Sequence, residues 1–230
     1  MTAAILQSNY VPWKGYFDII NKCDKFIFYD ETQYTKNDWR NRNIIKTKDG
    51  LKWISVPVKT KGKKNQMIME AEISDPAWKE THWKTICHSY SKAPFFKIYE
   101  KEFEEMWLSC DDIYLSNINY QFIKKISYIL EIDTKFYFSS EFKYSGNKSE
   151  KLLDICREAG ADRYLTGPKA KDYLDESIFE KNGIEIEYMN YGGYPEYEQL
   201  YPPFKHAVSI IDLLFSKGPD AEKYMKSFNG

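Results

Sequence analysis

Histidine and cysteine are scarce in this chain, which has three of the first and four of the second among 230 residues. Cys23, Cys87, Cys110 and Cys156 stand far apart and form no C-x-x-C pair. That spacing speaks against a disulfide frame or a cysteine zinc site, and for reduced thiols in a cytoplasmic protein. His82 and His88 are six residues apart, about 240° around a helix, so they do not share a face as a metal pair would. An excess of one charge is also missing: 33 Lys and Arg meet 34 Asp and Glu. The balance excludes the basic footprint of a dedicated nucleic-acid binder and the acidic excess of a solvating, disordered chain. No apolar run approaches the ~20 residues of a membrane span, and the first residues, Met1-Thr2-Ala3-Ala4, lack the basic start of a signal peptide. Neither G-x-G-x-x-G nor a P-loop occurs.

What is abundant is aromatic. Rings make up 17% of the chain, with 19 Tyr, 14 Phe and 6 Trp, yet mean hydropathy is low at -0.62. Tyr and Trp pair a flat apolar body with a polar tip, so they suit boundaries and ring-stacking platforms as well as cores. Many of them fall in three loops punctuated by Gly or Pro or rich in polar residues, namely Tyr10 to Tyr16, Tyr29 to Trp39 and Tyr191 to Phe204. These loops are expected to line one cleft around a polar ligand.

The opening reads as strand (Ala3 to Leu6), loop, helix (Lys14 to Cys23) and strand (Lys25 to Asp30). Two short apolar strands around a ten-residue helix match a right-handed parallel β-α-β unit. Ligands of such sheets sit beyond the carboxyl ends of the strands, where Gln7, Asn9, Tyr10, Asp30, Glu31 and Gln33 would be delivered. Thr35 to Lys48 reads as a polar loop, Trp53 to Val58 as a strand and Thr60 to Gln66 as a mobile basic loop. Apolar spacings of three and four predict helices over Ala77 to Tyr90, Pro94 to Leu108 and Ile113 to Leu130. A strand at Phe136 to Phe138 precedes a helix from Ser149, its expected N-cap, to Ala159. Then come a strand (Arg163 to Thr166), a helical turn (Ala170 to Asp175), a strand (Ile184 to Tyr188) and a helix (Val208 to Phe215) stopped at Gly218-Pro219. The reading is a single α/β domain over 1–230, with a Rossmann-like, mainly parallel sheet and a helical subdomain inserted at about 77–131.

Candidate chemistry concentrates in the first fifty residues. Trp13 and Gly15 flank the start of the first helix, where unpaired N–H groups attract phosphate or carboxylate; equally, Trp13 and Tyr16 would cap the core there. The string Trp39-Arg40-Asn41-Arg42-Asn43 offers guanidinium and amide groups for a bidentate anion clamp. In that clamp Arg42 and Asn43 face Gln7, Asn9 and Asp30; the alternative is an Arg42 ion pair with Asp30 or Glu31. His82 is the acid/base candidate by titration range. Thr166, Lys169 and Tyr173 repeat the strand, glycine turn, helix grammar at a second strand end, and Gln199 lies in the late aromatic loop.

The string Gln7-x-Asn9-Tyr10-x-Pro12-Trp13-x-Gly15-Tyr16-Phe17 carries a resemblance. With it go Asp24, Asp30, Gln33-Tyr34, Trp39-x-Asn41-Arg42-Asn43-x-Ile45 and Trp53-Ile54-x-Val56-Pro57-Val58. His82, Tyr164-Leu165-x-Gly167-Pro168, Tyr173, the Tyr194 to Phe204 stretch and Ser209-x-x-Asp212-Leu213-Leu214-Phe215 extend the match over nearly the whole chain. Together they resemble the WbqC-like protein family. The resemblance implies a role among enzymes of O-antigen, other surface polysaccharides or modified sugars. The expected activity is transfer of an acyl or aminoacyl group to the amine of a nucleotide-linked or lipid-linked amino sugar. An acyl or aminoacyl carrier protein would be the donor partner, His82 and Asp30 the catalytic pair, and the cofactor is left open. The alternatives are a non-catalytic sugar-nucleotide-binding or scaffold protein and an ATP-dependent ligase or nucleotidyltransferase. By analogy the fold resembles the nucleotidyltransferase-like one, although Pro12-Trp13-x-Gly15 stands where that fold carries two phosphate-binding histidines.

Overall fold

The computed structural model describes residues 1–228. Five short strands form one sheet: β1 (Thr2–Leu6), β2 (Lys25–Phe28), β5 (Lys135–Phe138), β6 (Arg163–Thr166) and β7 (Glu185–Tyr188), in the order β5-β2-β1-β6-β7. Every pairing in it is parallel. A parallel sheet needs cover on both faces, and the period of two along each strand divides the side chains between two cores. Ala4, Phe26, Phe28 and Leu165 face the larger core; Ala3, Ile5, Ile27 and Tyr164 face the smaller. On the larger side lie α1 (Lys14–Asn21), α2 (Trp78–Tyr90), α3 (Phe96–Leu108), α4 (Leu115–Ile129) and α7 (Ile210–Lys217); on the smaller, α5 (Lys148–Glu158) and α6 (Glu176–Lys181).

The expected β-α-β start, the three middle helices and the strands of the second half are all present, with no end shifted by more than two residues. The middle helices carry Trp83, Trp107 and Phe122 into the same core that receives Phe17 and Phe28. Each fully buried Phe of that kind contributes about 1.5–3 kcal/mol.

Four expectations are corrected. The stretch from Thr35 to Lys48 is not all loop: Arg42–Thr47 is β3, paired antiparallel with β4 (Gly50–Ser55) across a tight turn with Gly50 at φ 109°. The expected strand from Trp53 to Val58 therefore begins earlier and ends at Ser55. The cap of α5 is Asn147, whose Oδ1 accepts from the N–H groups of Ser149 and Glu150 while Glu150 Oε2 accepts from Asn147 N–H. Ser149 instead accepts from the N–H of Asp175. Finally, the segment after Gly167 is a 3-10 turn (Pro168–Asp172) followed by α6, too short at six residues to leave a periodic signal. The last helix starts at Ile210, capped by Ser209, and runs through Phe215 to Lys217.

Candidate functional site

Strand β1 is central, and the chain leaves it toward β2 on one side while β6 pairs on the other. The crevice beyond the carboxyl ends of β1 and β6 is thus the topological switch point, where ligands of open α/β sheets bind. After β1 the chain runs through Gln7, Ser8 and Asn9 into the turn that starts α1. A second loop, residues 38–41, lies against it, with Tyr10 N–H donating to the Trp39 carbonyl at 3.0 Å.

This junction is pinned from several sides. Asn43 Nδ2 donates to the carbonyls of both Tyr10 and Val11 at 3.0 Å. Ser209 Oγ donates to Val11 O at 2.7 Å. Val11 itself sits at φ 34°, a left-handed value that is strained for a β-branched residue. Asn119 on α4 donates to the Arg40 carbonyl and to Ser8 Oγ, both at 2.9 Å. The Arg40 guanidinium donates to Asn9 Oδ1 and stands 3.9 Å from the Asp38 carboxylate. Its side chain remains 17% exposed, so one cation is held in a fixed place at the mouth of the crevice.

Beside it lies a cavity of about 240 Å³ lined by Asn9, Pro12, Trp13, Trp39, Asn43 and Ala207. Both indole walls are braced. Trp13 meets Tyr191 and Tyr194 edge-on at 5.2 and 5.6 Å, and Trp39 leans on Trp53 at 5.2 Å while staying 41% exposed. Gly15 serves this wall: a Cβ there would fall 2.3 Å from the Trp13 ring. The glycine therefore makes room for an indole across the start of α1.

Asp30 and His82, the acid/base candidates, are both sealed. Asp30 is 2% exposed and accepts from Ser8 N–H at 2.8 Å and from Ser116 Oγ. Burial pushes its carboxyl pKa up; the hydrogen bonds from Ser116 and Ser8 and the charge of Arg40 pull it back. His82 is 5% exposed and packs on Tyr10 and Trp78. Burial lowers its pKa to about 4, against a smaller opposing effect of a hydrogen bond with the Ser55 backbone. Tyr10, 0% exposed, links it to α3: Trp107 Nε1 donates to Tyr10 Oη, which lies 2.8 Å from His82 Nδ1. The His82 ring donates its one proton to the Ser55 backbone, which leaves Nδ1 of the neutral imidazole to accept from the Tyr10 hydroxyl. Tyr10 and His82 are thus props beneath the junction and do not line the cavity.

The remaining candidates divide. Asn9, Trp13 and Asn43 line the cavity; Gln7 does not, and donates to Thr32 Oγ1 at 2.6 Å. Arg42 points elsewhere, its guanidinium 4.0 Å over the Trp53 ring. It pairs with neither Asp30 nor Glu31; the Glu31 carboxylate instead accepts from Ser139 Oγ and Tyr144 Oη. Gln33 donates to the Lys64 carbonyl. Thr166 is buried at the end of β6 and Lys169 exposed just beyond it. Tyr173 lines a separate groove with Asn147 and Asp175. Gln199 accepts from the buried Lys46 ammonium and the Lys205 N–H, which fixes the late loop onto β3. Among the described residues no group of three or more His, Cys, Asp or Glu is placed to hold a metal ion.

The sequence reading singled out Arg42 where Arg40 holds the position. Arg42 is the first residue of β3 and Arg40 lies in the turn before it, so with β3 unrecognised the two arginines could not be told apart. Ser116 and Asn119 were missed altogether. Their signal was present: two small polar residues three apart on the apolar face of α4, beside Leu115 and Phe122.

Fold and site together define a three-layer α/β protein with a parallel sheet, helices on both faces and a tryptophan-walled cavity after the carboxyl end of β1, with Arg40 tied to its lining residue Asn9. The chain belongs to the WbqC-like protein family, whose model matches residues 7–224. An uncharacterized protein of Mycobacterium tuberculosis, Rv1507c, is 42% identical over 223 residues, spanning 97% of this chain and 96% of that protein. No solved structure matches, and no helix among the described residues is long and apolar enough to cross a membrane.

Proposed function

We propose that this protein acts in the biosynthesis of a surface polysaccharide or modified sugar, transferring an acyl or aminoacyl group to the amine of a nucleotide-linked amino sugar bound in the switch-point cleft. The observation that carries the reading is the Arg40–Asn9 pair beside two braced indoles: a fixed cation next to flat apolar walls suits a ligand with both phosphate and rings. The amine nitrogen attacks the carbonyl carbon of an activated ester or thioester. The new C–N bond forms as the carrier's C–O or C–S bond breaks, and the amine proton leaves with solvent. A sealed Asp30 and a neutral, sealed His82 make the contribution of the protein one of positioning and electrostatics rather than proton abstraction. Asp30 sets the field around Arg40, and His82 holds Tyr10.

That same sealing favours a second reading, a protein that presents a sugar nucleotide to a partner enzyme without turnover. Mass spectrometry of the pathway's sugar intermediate, with and without the purified protein, separates the two. Transfer predicts a mass increase equal to the added group, reduced about tenfold to a hundredfold in Arg40→Ala, as expected for loss of a charged hydrogen-bonding partner. An unchanged mass alongside saturable ligand binding would leave the binding protein; full activity in Arg40→Ala would refute the site.

A further inference from the structure

We infer that the cavity between Trp13 and Trp39 is a nucleobase subsite, and that Arg40 next to it receives the diphosphate of the same ligand. The inference rests on the reading above and specifies which end of the ligand lies where.

Size comes first. Pockets that enclose whole small molecules measure ~300–1,000 Å³, whereas this cavity holds about 240 Å³. It takes one ring system and leaves the rest of a nucleoside diphosphate sugar outside. Chemistry comes next. The walls are two indoles, Pro12 and Ala207, which offer a π-face and dispersion contact to any planar ring. The polar groups are the amides of Asn9 and Asn43. Asn43 is spent, its Nδ2 donating to Tyr10 O and Val11 O and its Oδ1 accepting from Ile44 N–H. Asn9 is half spent: Oδ1 accepts from Arg40, and among the described residues no group accepts from its Nδ2. The cavity thus presents one free amide donor, a partner for a ring carbonyl or ring nitrogen.

Direction comes from Arg40. Because its guanidinium is tied to Asn9, the cation adjoins the cavity on the side of the sheet edge, near enough to Asp30 and Tyr16 to act on both electrostatically. A base in the cavity would extend its phosphates over Arg40 and its sugar toward Thr166 and Lys169 at the end of β6. Rigidity completes the case. Each indole is held by another aromatic ring, and the loop between Asn9 and Trp13 is pinned by Asn43 and Ser209. The walls are therefore set before a ligand arrives, and little ordering cost is charged against stacking.

Isothermal titration calorimetry on the intact protein tests this with UDP, dTDP, GDP and ADP, with inorganic pyrophosphate, and with glucosamine 1-phosphate, which carries sugar and phosphate but no base. The expected result is saturable binding of at least one nucleotide, at least tenfold tighter than pyrophosphate or the sugar phosphate. Trp39→Ala should weaken that nucleotide about tenfold, within the range for loss of one stacked ring, and leave pyrophosphate unchanged; Trp39→Phe should restore most of the loss. Trp39 is half exposed, so its removal spares the core, and circular dichroism checks that the variant is folded. Binding of the sugar phosphate as tight as any nucleotide, absence of nucleotide binding, or indifference to Trp39→Ala would overturn the subsite. Turnover of a lipid-linked amino sugar in the mass-spectrometric assay, with no nucleotide bound here, would sink this inference and leave group transfer to an amino sugar standing, with a lipid carrier in place of the nucleotide.

Discussion

Lowering the pH from 7 to 4 should weaken this protein through His82. Its ring is closed in by Tyr10, Trp78 and the polypeptide at Ser55, and burial brings its pKa to about 4 against about 6.5 in an unfolded chain. The folded state therefore prefers the neutral ring. The associated stability is complete above pH 6.5 and is lost as pH falls toward 4, because only the unfolded chain takes up the proton over that window. The two values give a loss of about 2 kcal/mol between pH 7 and pH 5 and about 3 kcal/mol by pH 4. Protonation falls on Nδ1, the atom that accepts from Tyr10, so the buried Tyr10 hydroxyl proton would lose its acceptor at that step. Urea denaturation of the wild type and of His82→Asn, at half-unit steps from pH 4 to pH 7, reads the effect as the difference between the two proteins. Taking the difference removes Asp30 and Asp212, whose carboxyl pKa values burial raises and whose contributions run the opposite way, falling as pH rises. The variant should be less stable at pH 7, and the gap should narrow by about 3 kcal/mol at pH 4. A gap of constant size would refute the account of His82 as a buried neutral prop.

Two glycines with left-handed backbone give a matched pair. Gly218 ends α7 at φ 56°, and a Cβ there would meet the Phe95 ring at 2.2 Å; Gly62 at φ 76° has open space around it. Gly218→Ala should cost about 3 kcal/mol and lower Tm by about 6–12 °C, and Gly62→Ala about 1 kcal/mol; equal losses in calorimetry would disprove the clash. Asn147→Ala should cost about 1 kcal/mol through loss of the cap on α5, visible as earlier hydrogen exchange at the Ser149 and Glu150 amides. Unchanged exchange there would contradict the cap.

Much of the fold was legible because its elements obey simple periods. The opening β-α-β unit announces itself by two apolar runs around a ten-residue amphipathic stretch, and the three middle helices by spacings of three and four. The hairpin was hidden because β3 mixes partly exposed Arg42 and Ile44 with buried Asn43 and Lys46, a pattern that tertiary partners impose. Lys46 is buried because carbonyls of Tyr201 and Pro203 and the Gln199 amide surround its ammonium, groups more than 150 positions away. The neighbourhood of the cleft was legible in the density of polar and aromatic residues from Gln7 to Asn43. Which members face it was not. Tyr10 and His82 look like ligand groups, but Trp107, about a hundred residues on, donates to Tyr10, and Tyr10 and His82 bond to each other.

The central place of β1 has a consequence for the birth of the molecule on the ribosome. One edge of β1 finds β2 within the first thirty residues, but the other pairs with β6, where Thr2 meets Arg163. At ~5–20 residues per second, about 140 further residues occupy on the order of ten seconds of synthesis. Throughout that interval a strand of Ala3, Ala4 and Ile5 presents a bare edge next to half-made apolar faces. Such an edge is a template for wrong pairing, and β1 stays open to it until β6 emerges.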